Sequence, residues 1–296
     1  MMEHALARDA RMTAHRREAK YLVVGERARV VAAELERRLP VHRHRGAGAN
    51  QLPAAHHYTT TIYFDTAGRA LYHAATAGGE SHLKLRAKEY YDLHPALHET
   101  ATDPRQLVRY QRVLWLELKH REGVHTGKRR LGIPKMDIPA FFTEGRITED
   151  MVRIQEPAYG RDAQDVLAAV AALCKSLGEP LRADSLVNYR RAAWQDPAGD
   201  LRVTIDTGLA LYAPPADLWQ RDWALVRQTL GPSVAVEPRR VIEVKTLGDP
   251  PTWLDELIGE PPVAFSKFEA ASRAVYDRSA PRPSGRGAET PDSDRA

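Results

Sequence analysis

The stretch Ser81-His-Leu-Lys-Leu-Arg-Ala-Lys-Glu89 limits what this chain can fold into. Strand side chains alternate with period two, so Leu83, Leu85 and Ala87 share one face and Lys84, Arg86 and Lys88 the other. A single strand of this kind would turn its charges to water. Here the pattern recurs: Glu18 with Lys20, Glu117 with Lys119, Tyr189 with Arg191, Arg202 with Thr204 and Asp206, and Glu243 with Lys245. Most intervening positions are apolar. The set predicts an inverted barrel, with charges pointing inward and aliphatic side chains outward beneath helices.

With 296 residues and 43% hydrophobic residues, the chain can bury one large core or two small ones. No apolar run approaches the roughly 18 residues that a membrane helix needs. The opening MMEHALARDARMTAH has no apolar stretch of the kind a secretion signal carries. A formal charge of +4 is too small to argue for nucleic acid, but it permits an anionic ligand. The lone Cys174 rules out an internal disulfide, and its place on an apolar helix face predicts a buried, inert thiol. These features predict a cytoplasmic protein.

Residues 1–15 read as a loose arm, 16–277 as one domain and 278–296 as a disordered tail rich in Pro, Ser, Gly and charge. A strand is expected over 16–24. A helix follows with Ala28, Val31, Leu35 and Leu39 on one face, ended by Pro40. Residues 42–55 read as a loop rich in Gly, His and Arg, 56–66 as a strand and 91–110 as an insertion. Gly127-Lys-Arg-Arg130 reads as a basic loop, and 137–160 carries little pattern. A helix from Asp162 presents Val166, Val170, Leu173, Cys174 and Leu177. Strands over 183–194 and 200–207 join through Asp196-Pro-Ala-Gly199. Residues 208–238 read only as loop with some helix. Thr252–Ile258 is expected as a helix with a Thr-x-x-Asp cap, and a last helix runs from Ser266 to about Asp277.

Inward Lys20, Lys84, Arg86, Lys119, Arg191, Arg202 and Lys245 demand compensation, because unpaired charge removed from water is costly. Glu18, Glu117, Asp206 and Glu243 offset part of it. The surplus suits phosphate oxygens, which Arg forks and Lys point charges recognise. The remaining carboxylates suit Mg2+ or Mn2+ bridging such phosphates.

The ordered set Glu18-x-Lys20, Thr61-Ile-Tyr-Phe-Asp65, Lys84-x-Arg86, Glu117-x-Lys119, Tyr189-x-Arg191, Arg202-Val-Thr-Ile-Asp206, Glu243-x-Lys245 and Ser266-Lys267 resembles the VTC domain. That domain is the polyphosphate polymerase module of the triphosphate tunnel metalloenzymes. The resemblance runs over about residues 16–277. It implies an α+β fold: a closed, antiparallel, eight-stranded tunnel with a polar basic interior and helices outside. It also implies a divalent metal and transfer of the terminal phosphate of ATP to inorganic polyphosphate. By the same resemblance, Lys20, Lys84, Arg86, Lys119, Arg191, Arg202 and Lys267 are expected as phosphate ligands at the catalytic centre. Tyr189, Ser266 and Lys245 are expected to bind substrate. Glu243 is the expected principal metal ligand, with Glu117 and Glu18 as further candidates. Phe268 stands where the family pattern suggests Tyr, a change expected to touch packing only. No sensor domain for inositol phosphates and no membrane segment is evident.

Plainer readings stand beside these. Any one Glu-x-Lys pair could be an exposed ion pair, worth little. Ser266 with Glu269 also forms a capping box. Asp65 and Asp206, each beside a Thr, read as structural hydrogen-bonding groups before metal ligands. Arg190 is out of phase with Arg191 and is expected at the surface. Lys128 and Arg130 either extend a basic mouth or lie in a solvated loop. Two functional rivals also remain: hydrolysis of triphosphate or nucleoside triphosphate on the same scaffold, and a non-catalytic polyphosphate-binding module.

Overall fold

In the computed structural model, which describes residues 16–42, 56–78, 81–91, 108, 110–122 and 125–277, the alternating segments pair into one antiparallel sheet. Its strands are β1 (Arg16–Val23), β2 (His56–Asp65), β3 (Ser81–Tyr91), β4 (Val113–Glu122), β5 (His125–Pro134), β6 (Arg182–Gln195), β7 (Leu201–Tyr212), β8 (Ala235–Glu237) and β9 (Arg240–Leu247). The order is β1-β9-β7-β6-β2-β3-β4-β5, with β8 attached to β7. The helices are α1 (Gly25–Arg38), α2 (Ala70–Thr76), α3 (Ile138–Thr143), α4 (Glu149–Tyr159), α5 (Ala163–Lys175), α6 (Thr252–Ile258) and α7 (Lys267–Tyr276). The expected arm, the 43–55 part of the His-rich loop, most of the 91–110 insertion and the tail lie outside the described residues.

The parity read from the sequence is the parity of the fold. Tyr21, Val23, Ala192, Trp194, Leu201, Val203, Ile205, Ile242 and Val244 form one outer cluster. Under it pack Ala28, Val31 and Leu35 of α1 and Leu254 and Ile258 of α6. Val31 and Leu35 are fully buried, and such burial stabilises by about 1.5–3 kcal/mol per side chain. Leu83, Leu85, Leu116, Leu118, Leu131 and Ile133 join a second cluster with Phe141, Met151, Leu167 and Val170 of α3, α4 and α5. Helices therefore cover the aliphatic face. The interleaved charged residues share the concave face.

The expected closure is not shown: among the described residues β1 and β5 share no backbone ladder, and the sheet curls with a seam between them. Both edges of the seam have other partners. Gln155 of α4 donates from Nε2 to the Gly132 carbonyl at 2.6 Å and accepts at Oε1 from the Gly132 N–H at 3.0 Å. The Tyr159 hydroxyl donates to the Arg130 carbonyl at 3.0 Å. Across the seam, the Val263 N–H donates to the Lys20 carbonyl at 2.7 Å. An amide side chain that mimics a neighbouring strand satisfies polar edge groups that would otherwise demand a partner.

Several local expectations change. Residues 127–130 are strand, not loop: β5 pairs with β4 over its length. The weakly patterned 137–160 region holds α3 and α4, the latter capped by Thr148, whose hydroxyl accepts from the Met151 N–H at 3.3 Å. On α5, Leu167 and Ala171 complete the buried stripe while Leu173 is exposed. Thr252 does not cap α6, which begins after Pro251; Asp255 instead accepts from the Tyr21 hydroxyl at 3.1 Å. Residues 208–238 extend β7 to Tyr212, supply β8 and cover the outside of β2. There Trp219 stacks on Phe64 and the Thr60 hydroxyl donates to the Leu225 carbonyl. Cys174 is buried, and burial pushes its thiol up to about 12, so it is inert as expected. No described helix is long and apolar enough to cross a membrane.

Candidate active site

Register places the charged positions in rungs across the sheet. Lys84 stands opposite Lys119, which stands opposite Lys128; Arg86 stands opposite Glu117, which stands opposite Arg130. On the other wall, Arg191 is opposite Asp206, Thr204 opposite Glu243, and Glu243 opposite Lys20. The last such rung joins Arg202, Lys245 and Glu18. The sheet curls enough for its ends to interact: Lys119 acts electrostatically on Glu18, and Lys245 on Lys128.

Glu117 is the hub of the first wall. It is 3% exposed. Arg86 lies 2.9 Å away, Lys88 3.1 Å and Lys128 3.6 Å. Burial pushes the Glu117 carboxyl up, but Lys88, Arg86 and Lys128 together hold it below the usual carboxylate range. Even so, the cations outnumber their counter-charge. Burial and the neighbouring Arg86 drive the Lys88 ammonium well below the usual lysine value despite Glu117. Burial lowers Lys119 and Lys128 as well.

The second wall is better balanced. Arg191 forks onto Asp206, with Nε to Oδ1 at 2.6 Å and Nη2 to Oδ2 at 2.7 Å. Lys267 reaches the same carboxylate at 2.6 Å. Burial raises the Asp206 carboxyl, but Arg191 and Lys267 hold it down. Glu243 lies 2.7 Å from Lys245 and 3.9 Å from Arg191. Burial pushes it up, and Lys245, Arg191 and Lys267 pull it well below the usual range. Glu18 sits 3.2 Å from Lys20 and 3.6 Å from Lys245, close enough to Glu243 for mutual repulsion.

One end of the lumen meets α7. The Ser266 hydroxyl caps that helix, accepting from the Glu269 N–H at 3.4 Å, and Lys84 donates to the same oxygen at 3.3 Å. Glu269 does not return to the cap; it binds Lys84 at 3.0 Å. Lys267 lies 5.0 Å from the Tyr189 ring. Phe268 packs against Tyr63 with centroids 5.2 Å apart. Lys20 donates to the Phe265 carbonyl at 3.1 Å.

The structure therefore gathers Arg86, Arg191, Lys267 and Tyr189 in one region, flanked by Lys84 with Ser266 and by Lys119. Arg202 shares the inner face but lies four residues from Asp206, about 13 Å along the strand, beside His42 and in register with Lys245. Two residues not among the expected ligands belong here. Lys88 was legible in the alternation, and Lys128 in Lys128-Arg129-Arg130-Leu131-Gly132-Ile133, whose aliphatic positions skip by two. Asp206, expected to offset inward cations, does so as an ion-pair hub for Arg191 and Lys267 on the lumen. Asp65 does play the structural role, accepting from the N–H groups of Thr66, Leu71 and Tyr72, each at 2.8 Å. Arg190 lies outside the lumen beside His56, as its phase predicts.

Among the described residues, no group of three or more His, Cys, Asp and Glu side chains forms a metal cage. The neighbouring carboxylates of Glu18 and Glu243 nevertheless fit a hard cation that takes its remaining ligands from phosphate and water. On the Glu243 rung, the buried Thr204 hydroxyl has no hydrogen-bond partner, which suits an ordered polar ligand. Glu117, enclosed by three cations, lies on the opposite wall from this pair.

The VTC domain family model matches residues 15–276. No curated protein matches the chain. Among solved structures, a candidate adenylate cyclase from Bacillus halodurans shares 12% identity, covering 85% of this chain and 95% of its own, with a TM-score of 0.41. A candidate adenylyl cyclase from Hippeastrum, described as having a dominant triphosphatase activity, shares 18% identity over 87% of this chain and 95% of its own, with a TM-score of 0.43. The PH1819 protein of Pyrococcus horikoshii shares 11% identity over 86% and 97%, with a TM-score of 0.35.

Proposed function

The chain belongs to the VTC domain family, and from that premise we propose that it is a metal-dependent polyphosphate polymerase transferring the terminal phosphate of ATP to a polyphosphate chain. Family and lumen together support an enzyme acting on triphosphates. The observation that carries the finer reading is the cation surplus around Glu117: Arg86, Lys88 and Lys128 crowd one buried carboxylate, and Lys88 is disfavoured as a cation there. Such an array is relieved by a dense polyanion.

In this reading Lys20, Lys84, Arg86, Lys119, Arg191, Arg202 and Lys267 contact phosphates, joined by Lys88 and Lys128. Tyr189, Ser266 and Lys245 orient the chain, with Ser266 and Lys267 adding the N-terminus of α7, an anion-favouring position. Glu243 and Glu18 would hold Mn2+ or Mg2+, which when bound neutralises phosphate charge and draws electrons from the bridging oxygen. Phosphoryl transfer asks little covalent chemistry of a protein. It asks that donor and acceptor be held in line with their charge offset. A polyphosphate acceptor is already anionic and needs no general base. Water does benefit from one, and here the first wall's carboxylate is fully engaged by cations. That favours transfer over hydrolysis.

Hydrolysis is the second reading, favoured by one feature: Glu18 is about a third exposed, and could orient a water. Incubation with ATP and Mn2+, followed by sizing of the product, separates the readings. Long polyphosphate supports transfer, and orthophosphate without chain growth supports hydrolysis. Binding without turnover leaves a binding module. A cytoplasmic setting supplies the ATP that this reaction needs.

A further inference from the structure

We infer that Trp115, Arg130 and Tyr90 form a nucleobase-stacking subsite at the end of β3 away from Lys84 and Ser266, so that a nucleoside triphosphate binds with its base there and its terminal phosphate toward that serine. This rests on the triphosphate-binding reading of the lumen and adds the recognition of the nucleoside and the polarity of the substrate.

Trp115 has the parity of Glu117 and Lys119 and so faces inward; it is opposite Lys88 on β3 and Gly132 on β5. It is 36% exposed, unlike its aliphatic neighbours Leu114 and Leu116, which are fully buried. The Arg130 guanidinium lies 4.5 Å from the Trp115 ring centroid and 5.8 Å from that of Tyr90. Lys88 Nζ is 5.9 Å from the Tyr90 ring, and the His57 ring is also 5.9 Å from it. An indole with one face on a guanidinium and a third of its surface open is the kind of platform on which any base can stack.

Gly132 is required chiefly by Ile154 of α4, and the indole lies at ordinary contact distance beside it. A β-carbon there would stand 2.6 Å from Ile154 Cγ2, 3.1 Å from Val113 Cγ1 and 3.4 Å from Trp115 Cζ3. The neighbourhood also holds an unanswered polar group: the Thr59 hydroxyl, buried and without a hydrogen-bond partner, is in register with Tyr90.

Spacing supplies the polarity. Trp115 is one alternation from Glu117, about 7 Å along the strand, which is a ribose-sized step from the cations gathered on that carboxylate. Lys84, bound to Ser266 and Glu269 at the start of α7, is six residues from Tyr90, about 20 Å. A nucleoside triphosphate laid along β3 thus passes from aromatic rings, through Lys88 and Arg86, to the α7 terminus. Inorganic tripolyphosphate uses only the cationic part.

The test compares calorimetric affinities for ATP and inorganic tripolyphosphate in wild type, Trp115→Ala and Trp115→Phe. ATP binding to Trp115→Ala should weaken by about tenfold, in the range found for removal of a base-stacking ring, while tripolyphosphate affinity moves by less than twofold. Trp115→Phe should restore most of the ATP affinity. In wild type, ATP should quench indole fluorescence more than tripolyphosphate does, and that excess should vanish in Trp115→Phe. The fluorescence comparison needs no alanine variant and decides the matter if Trp115→Ala fails to fold. Equal losses for both ligands would assign Trp115 a structural role and overturn the subsite, as would unchanged ATP binding together with no excess quenching. A wild type that binds neither ligand would fail the triphosphate reading itself; one that binds tripolyphosphate but gains nothing from the nucleoside would fail only this inference.

Discussion

The two walls of the lumen carry similar charged residues but balance them differently. On β3, β4 and β5, the described inward positions include Lys84, Arg86, Lys88, Lys119, Lys128 and Arg130 against Glu117. On β6, β7, β9 and β1, Arg191, Arg202, Lys245 and Lys20 are interleaved with Asp206, Glu243 and Glu18. The first wall leaves positive charge unanswered and suits gripping a polyanion. The second pairs its cations and keeps two neighbouring carboxylates suited to a metal. Like charges drawn from separate strands can be tolerated when a ligand supplies the counter-charge. Carboxylates facing a phosphate chain make chemical sense only with a cation between. The walls should therefore separate binding from turnover.

The largest expected effect is on the second wall. Glu243→Gln keeps size and removes charge, and turnover with Mn2+ should fall by about 10²-fold or more, as when other electrostatic stabilisers are lost. Polyphosphate affinity measured in chelator should hold or tighten, because one repulsive charge is gone. Turnover at the wild-type rate would move the metal role to Glu18.

The first wall should behave in the opposite way. Arg86→Ala removes charge-assisted contacts worth about 1.5–3 kcal/mol, so tripolyphosphate affinity in chelator should fall by roughly 10- to 100-fold. Lys84→Ala should weaken it too, less steeply, because Glu269 and Ser266 already engage that ammonium. If Glu243→Gln and Arg86→Ala impair chelator binding equally, the division between the walls is lost.

A smaller effect concerns the ligand-free protein. Lys88 is 8% exposed and disfavoured as a cation, while Glu117 retains Arg86 and Lys128 without it. Lys88→Met should raise ligand-free stability by about 1 kcal/mol, or ~2–4 °C in melting temperature, and shrink the thermal shift caused by tripolyphosphate. A destabilised Lys88→Met would mean that its bond to Glu117 outweighs the crowding.

The smallest effect is the pH dependence: stability should rise with pH on both walls, through an alkaline window on the first and an acid window on the second. Lys88, Lys119 and Lys128 titrate lower in the folded protein than in the unfolded chain. Between those values the unfolded chain binds more protons, so ligand-free stability should rise with pH on the alkaline side. Tripolyphosphate should flatten that rise by favouring the charged lysines. Asp206 is depressed by Arg191 and Lys267. Its contribution is present above the ordinary carboxylate pKa and is lost as pH falls toward its folded value. Melting curves across pH, with and without tripolyphosphate, measure both limbs; a ligand-free curve that falls through the alkaline window would remove the crowding argument.

Much of this was legible along the chain because strand geometry is local. Period two assigns Arg86 and Leu85 to opposite faces whatever strand lies alongside, and the buried outer clusters follow from that. Ser266 could be read as a cap because the bond it accepts comes from a residue three positions on. What the tertiary structure alone decided concerns partners distant in sequence. No local pattern says that Gln155 of a helix will take both backbone groups of Gly132. Nor does one say that Glu269 will leave its own cap for Lys84, or that Asp206 will serve both Arg191 and Lys267. The sequence determined which side chains face the lumen; only the curl and register of the sheet determined which charges meet there, because electrostatic partners are set by distance in space and not by separation along the chain.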